Sequence, residues 1–366
     1  MLDVYNAGKG DAFLFSHQCY GINCCPLLID TGTSGANIHS KVPRNLREVM
    51  ITHSHADHIG GLVDILNNRR ILTLYIPYYL PEILAIKKFL YSRLSTNTDI
   101  LNRVNRDIVL LKEGDRLCRH STILNPSVSP IAYNTSNELI DIDIEKTLES
   151  LNTFGLKLDT KAIMKYVSPL ANKQLHTRIK IHNNERSSSK DKKEYFTRAK
   201  KFVHNFFFTL EDALSDNSDL SIDSSKLEIA KFVNSHFKLT ANDASIVMRY
   251  KDDDESYLFT GDAGIKVFNR LILKCPSKLQ ANVLKVPHHG SKENLTEEIL
   301  EAIKPKIAIL SHNGSEYHPS DEVLDMLELL GIADYHTNNV STDTYTIVKK
   351  TGDVSHKGKE DIYFDN

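Results

Sequence analysis

The sequence predicts an α/β protein in which two mixed β-sheets pack face to face and helices lie outside them. Short apolar runs bounded by turn residues fill the first 130 residues and return after about residue 240. Helical patterns follow several of these runs, whereas the stretch between the two regions is polar and helix-like. The 366 residues suffice for one such domain with an insertion.

The first region begins with a strand and continues with short strands separated by Gly-rich turns. The predicted strands are Leu2–Tyr5, Ala12–Phe15, Pro26–Ile29 and Glu48–Thr52, and a helix begins over Leu62–Asn68. Another apolar run, Ile71–Ile76, is followed by the amphipathic stretch Pro81–Leu94, whose apolar residues have helical spacing. In the second region the predicted strands are Ser245–Tyr250, Tyr257–Thr260, Ala281–Val286 and Lys306–Leu310, and the predicted helices are Thr296–Ile303 and Ser320–Leu330.

The sequence predicts an insertion in the middle of the chain. We expect residues 1–133 and 240–366 to form the main domain and residues 134–239 a mostly helical insertion with flexible loops. Two Ser-rich stretches, 182–190 and 215–225, are typical of loops, and a helix with an aromatic face is expected between them.

Composition excludes several classes of protein. A net charge of −2 argues against a broad basic surface, so any contact with nucleic acid would be local. Five scattered cysteines without a CxxC pair favour reduced thiols over a disulfide framework. We expect a cytoplasmic protein without membrane attachment, because the sequence shows neither a span of about 20 apolar residues nor a leader pattern at its start.

The strongest chemical signal is the run from Thr52 to Gly61. His53 and His55 are two positions apart, so at the end of a strand they point the same way and can hold one metal ion. Asp57 and His58 lie on the following turn and can reach a second ion.

Two later strand ends supply further ligand types. A strand ends at Gly261-Asp262, and another leads into His288-His289-Gly290-Ser291. Active sites of layered α/β folds collect at such carboxyl ends, so Asp262 and His288 are candidate ligands.

Taken together, these motifs resemble the metallo-β-lactamase superfamily, and within it the soluble hydrolase domain of ComEC-type DNA-uptake proteins. The shared motifs lie in the same order between residue 1 and about residue 335: Asn6–Ala12, Leu28–Gly32, the His-rich run, Asn242–Ser245, Gly261-Asp262, His288–Ser291, Ser311–Asn313 and Tyr317–Pro319. The resemblance implies a four-layer αββα sandwich and does not cover residues 134–239.

The same resemblance implies a set of metal ligands. His53 and His55 would hold a first ion, Asp57, His58 and His288 a second, with Asp262 bridging the two; Asp30 would steady a ligand imidazole. Asn242 stands where most members have a third histidine. Because an amide oxygen is a weaker and harder ligand, the two divalent ions could be Zn²⁺ or Mn²⁺.

Three residues are expected to act on the substrate. Asp57 can orient the nucleophile as well as bind metal. His289 either faces the substrate or packs beneath its loop, and His318 is a phosphate contact, a proton donor or a structural residue.

The resemblance implies a dinuclear phosphodiester hydrolase acting on nucleic acid, with DNA favoured. A basic segment at residues 173–201 includes Lys192, Lys193, Lys200 and Lys201, which could follow a nucleic-acid backbone or form an ordinary solvated helix face. Two alternatives stay open: a subunit that docks a partner protein through residues 134–239, and a small-molecule phosphodiesterase.

Overall fold

The structure is a computed structural model that describes residues 1–16, 26–78, 80, 101–105, 107–127, 179–181, 242–253, 255–314, 317–338, 344–349 and 360–364. Its strands, in chain order, are β1 (Leu2–Tyr5), β2 (Phe13–Phe15), β3 (Leu27–Ile29), β4 (Glu48–Met50), β5 (Thr73–Pro77), β6 (Asp107–Leu111), β7 (Ser121–Asn125), β8 (Ile179–Ile181), β9 (Val247–Lys251), β10 (Ser256–Phe259), β11 (Val283–Lys285), β12 (Ile307–Leu310), β13 (Ala333–His336), β14 (Thr344–Lys349) and β15 (Glu360–Phe364). Its α-helices are α1 (Ile38–Lys41), α2 (Ala56–Ile59), α3 (Leu62–Asn68), α4 (Ile265–Lys274), α5 (Glu297–Ile303) and α6 (Asp321–Leu329).

The described strands form two mixed sheets. The first has the order β15-β14-β1-β2-β3-β4-β5-β6-β8, and its strands β3 to β6 and β8 are parallel. The second has the order β13-β12-β11-β10-β9-β7, and β10 to β13 are parallel. The predicted sandwich of two mixed sheets with helices outside is confirmed.

An aromatic core joins the two sheets. Phe15 of β2 has its ring centroid 4.9 Å from that of Tyr250, 5.1 Å from Tyr257 and 5.3 Å from Phe259. Such tilted and edge-to-face pairs contribute beyond the apolar area they bury. The outer face of the second sheet is covered by α4 and α5, whose buried side chains include Phe268, Leu271, Ile299 and Leu300.

Most predicted elements agree with the structure to within a few residues. The bounds of β1 and α3 are as predicted, whereas β4 ends at Met50 instead of Thr52. The sequence patterns did not predict β6, β7, α4 or β13. Ile179–Ile181, inside the predicted insertion, pairs in parallel with β6, so at least this part of the 134–239 segment adds a strand to the first sheet.

The predicted helix Pro81–Leu94 and the basic segment, including Lys192, Lys193, Lys200 and Lys201, lie outside the described residues. Among the residues that are described, no helix combines the length and the apolar character that crossing a membrane requires.

Parallel strands of both sheets place their carboxyl ends at one end of the sandwich. Asp30 follows β3, His53 lies three residues beyond β4, and Asp262 lies three residues beyond β10. His288 and His289 follow β11, and Ser311 follows β12. The topology therefore gathers five separate segments at one end of the fold.

Candidate metal centre

The His-rich motif turns from an extended segment into a short helix. His55 is extended (φ −72°, ψ 151°) and caps α2, which puts Asp57 and His58 on the first helical turn. The imidazole of His53 lies with its ring centroid 4.5 Å from that of His55 and 4.1 Å from that of His58. His53 and His58 are fully buried, so the motif forms one compact cluster.

Asp262 lies between the histidines. Its Oδ2 is 3.5 Å from Nε2 of His53, and its Oδ1 is 3.3 Å from Nε2 of His58. Gly261 has φ +52°, and a Cβ there would lie 2.9 Å from Cβ of Ser245. Glycine therefore permits the close approach that brings the carboxylate to both imidazoles.

Among the described residues there are three groups of candidate ligand atoms, each with its atoms within 4.8 Å of one another; one is Asp11, Asp30 and His58, and the other two meet at Asp262. The first of these two consists of His53, His55 and Asp262, and the second of Asp57, His58 and His289. Asp262 contacts a histidine of each group, so the two groups meet at its carboxylate.

The second group contains His289, where the sequence predicted His288. Nδ1 of His289 donates to the carbonyl of Ser311 at 2.8 Å, and its Nε2 lies 3.4 Å from Oδ2 of Asp57. His288 instead has Nδ1 2.9 Å from Oδ1 of Asn294, and its side chain is 29% exposed. Both residues have positive φ, and the resulting tight turn points the second histidine inward. The structure thus places His289 in the second candidate group, while Nε2 of His288 lies 3.9 Å from Oδ2 of Asp262 and its role as a ligand stays a prediction.

Asp30 lies beneath the cluster and fixes one imidazole. Nδ1 of His58 donates to Oδ2 of Asp30 at 2.8 Å. Asp30 in turn accepts hydrogen bonds from the backbone and hydroxyl of Thr52, both at 2.7 Å. This arrangement leaves the lone pair of His58 on Nε2, facing Asp262, as expected when a carboxylate steadies a metal-ligating histidine.

The buried polar atoms of the site fit a metal ion. Within the part of the chain that the structure describes, these atoms have no hydrogen-bond partner: Nε2 of His53, His58 and His289, both carboxylate oxygens of Asp262, and Oδ1 of Asn242. Burying a polar atom without a partner is costly, and imidazole nitrogens with carboxylate oxygens are the usual ligands of divalent metals. The residues present therefore fit the implied cations.

The pKa values of two residues in the site also indicate that its carboxylates attract positive charge. Burial opposes the charged form of His289, but the neighbouring carboxylates of Asp262, Asp11 and Asp57 raise its pKa to about 9. Burial would raise the pKa of Asp57, yet the nearby imidazoles of His289 and His58 lower it to about 2. Because metal ligands must be deprotonated, loading the site should release protons from these histidines.

His318 lies at the edge of the cluster. Its ring centroid is 5.2 Å from that of His288, and it is half-buried. Burial, together with His288 and His289, lowers its pKa below the usual range. Tyr317, immediately before it, is 79% exposed.

The sequence analysis assigned no role in the metal site to three residues beneath it. Asp11 and Ser311 lie in shared motifs, and Lys285 was not singled out. Nζ of Lys285 lies 2.5 Å from Oδ2 of Asp11, and the hydroxyl of Ser311 donates to Oδ1 of Asp11. The sequence held a sign of the buried lysine, because Lys285 interrupts the otherwise apolar run Val283–Val286 just before the motif of His288.

The sequence pattern of the Metallo-beta-lactamase superfamily matches residues 25–130 and 174–314, more than half of the chain. The chain belongs to the metallo-beta-lactamase superfamily. As a member of it, the protein is a metal-dependent hydrolase with two adjacent candidate ligand groups. The superfamily match resumes at residue 174, inside the segment predicted as an insertion.

Two curated proteins are similar to parts of this metallo-beta-lactamase chain. ComE operon protein 3 of Bacillus subtilis is 32% identical over 116 residues, which are 31% of this chain and 15% of that protein. The uncharacterized protein YcaI of Escherichia coli is 30% identical over 94 residues, 25% of this chain and 12% of that protein. The chain thus matches only a small part of either relative, and the first of them supports the predicted resemblance to ComEC-type proteins.

Among solved structures, the chain is similar to the metallo-beta-lactamase fold protein YhfI from Bacillus subtilis. It is 10% identical, with 92% of this chain and 96% of that chain covered and a TM-score of 0.40.

Proposed function

We propose that the protein is a dinuclear metal-dependent phosphodiester hydrolase that acts on nucleic acid, with DNA favoured. The observation that carries this proposal is the pair of ligand groups that meet at Asp262. The preference for nucleic acid rests on the resemblance to ComEC-type DNA-uptake proteins. Tyr317, exposed next to His318, adds a local feature, because an exposed aromatic ring can stack on a base.

The first ion would be held by His53, His55 and Asp262, with Asn242 as a weaker ligand. The second would be held by Asp57, His58, His289 and Asp262. When bound, two divalent ions, Zn²⁺ or Mn²⁺, would lower the pKa of a water molecule toward neutrality and offset the charge of a phosphodiester.

The protein's own residues then orient the reactants. Asp57 contacts His289, and its side chain is 31% exposed. Because solvent can reach it, this carboxylate can also orient the attacking water. Since its pKa is lowered, His318 is neutral at pH 7, which favours a hydrogen bond to the phosphate over proton donation.

The test is hydrolysis by protein stripped of metal and reloaded with Mn²⁺ or Zn²⁺. The substrates are single-stranded DNA, double-stranded DNA, RNA and bis-p-nitrophenyl phosphate, and Asp262→Ala is the inactive control. We expect about two ions per chain and cleavage of DNA. A protein that holds two ions but cleaves none of these diesters would refute the proposal, and cleavage of the small diester alone would favour a small-molecule phosphodiesterase.

The basic segment has a test of its own. Neutralising the four lysines Lys192, Lys193, Lys200 and Lys201 should weaken DNA binding and flatten its salt dependence. The reason is that DNA binding releases fewer counterions when fewer phosphates are contacted. Hydrolysis of bis-p-nitrophenyl phosphate should be unchanged. If the salt dependence of DNA binding is unchanged, the segment is an ordinary solvated helix face. If the variant loses a co-purifying protein, partner docking through residues 134–239 is favoured.

A further inference from the structure

A lysine side chain is buried directly beneath the two ligand groups. Lys285, the last residue of β11, is 2% exposed. Its Nζ lies 2.5 Å from Oδ2 of Asp11 and 3.6 Å from Oδ1 of Asp262, and it donates to the carbonyl of Gly261 at 2.8 Å. An ammonium has three protons, and three oxygens surround this one.

The Lys285–Asp11 ion pair connects the two sheets at the site. Asp11 lies in the loop between β1 and β2 of the first sheet, whereas Lys285 belongs to the second. The backbone N–H of Asp11 donates to the carbonyl of Asp57 at 3.2 Å, and its Oδ1 lies 3.5 Å from Nδ1 of His289. The pair therefore contacts members of the second ligand group from below.

The two carboxylate oxygens of Asp262 have different neighbours. Oδ2 lies 3.5 Å from Nε2 of His53 and 3.9 Å from Nε2 of both His288 and His289. Oδ1 lies beside His58 at 3.3 Å and Lys285 at 3.6 Å, on the side of the second group. Lys285 also holds the carbonyl of Gly261, so it fixes the peptide from which the Asp262 side chain projects.

We propose that Lys285 is a positioning residue that supplies a third cation to the site from the chain itself. It holds Asp262 with Oδ1 turned toward His58 of the second group, so that this oxygen would already be in place for a second ion. The inference rests on the proposed two-metal site, but it does not depend on the substrate.

The test compares the wild type with Lys285→Met and with the double variant Asp11→Asn/Lys285→Met. The single variant leaves the Asp11 carboxylate buried without its cation, so it should lose much of its thermal stability. The double variant removes one positive and one negative charge together, so the net charge is unchanged. Lys274→Met is the control, since Lys274 is an exposed lysine paired with Glu113.

The readouts are stepwise Zn²⁺ affinity by chelator competition and the absorption spectrum of the Co²⁺-loaded protein. For the folded double variant we expect wild-type affinity for the first ion, at least a tenfold loss for the second, and an altered spectrum of the second Co²⁺. Wild-type affinity for both ions, or equal loss of both, would overturn the inference. If the wild type binds two ions but hydrolyses no phosphodiester, the proposed function fails while the role of Lys285 stays measurable.

Discussion

Replacing Gly10 with alanine should displace the second ligand group, although residue 10 binds no metal. A Cβ on Gly10 would lie 1.9 Å from the carbonyl oxygen of Asp57 and 2.8 Å from its carbonyl carbon. Real Cβ contacts are not shorter than 3.0 Å, so the backbone of Asp57 must retreat by roughly 1 Å. Displacement of a catalytic group by this amount can cost on the order of 10²-fold in rate, and overpacking costs about 1–3 kcal/mol of stability.

We expect Gly10→Ala to lose about 10²-fold in kcat/KM for bis-p-nitrophenyl phosphate and to bind its second ion more weakly. Elemental analysis, kinetics and thermal unfolding measure the three effects. Gly35→Ala is the matched control, because a Cβ on Gly35 meets no atom within 4 Å. Full activity and two tightly bound ions in Gly10→Ala would refute the geometric reasoning.

Four further variants test the site and its surroundings. His289→Ala should retain one ion per chain and His288→Ala two; the reverse result in elemental analysis would restore the assignment of His288 as the ligand. His318→Ala should keep both ions and lose on the order of 10²-fold in kcat, equally for good and poor leaving groups, as expected for a lost phosphate contact; a smaller loss with p-nitrophenolate would show proton donation. Burial raises the pKa of Asp115 to about 7, so the folded state favours its protonated form, and stability should fall as pH rises from about 4 to 7. Asp115→Asn should remove that fall and add up to about 4 kcal/mol at pH 8 in urea unfolding.

The strands and the His-rich motif were predictable because their signals are local. Short apolar runs such as Ile307–Leu310 and Leu2–Tyr5 define strands without knowledge of their neighbours. His53, His55, Asp57 and His58 lie within six positions, so their grouping follows from strand and turn geometry alone.

The remaining parts of the site depend on contacts between distant segments. The position of His289 within the second candidate group depends on two positive φ angles and on the carbonyl of Ser311, which no local pattern encodes. The burial of Lys285 depends on Asp11, far away in the sequence, and a single lysine in a strand ordinarily indicates an exposed position.

The contact between Asp11 and Ser311 has a consequence for how the protein is made. The hydroxyl that donates to Asp11 is synthesised 300 positions after its acceptor. The His-rich motif leaves the ribosome early, without Asp262, His289 or Ser311, and a chain interrupted before residue 289 carries only part of the ligand set. Domains generally fold as units during synthesis. Tight binding of two ions should therefore require a chain that extends past Ser311, and metal affinity would distinguish such chains from shorter products.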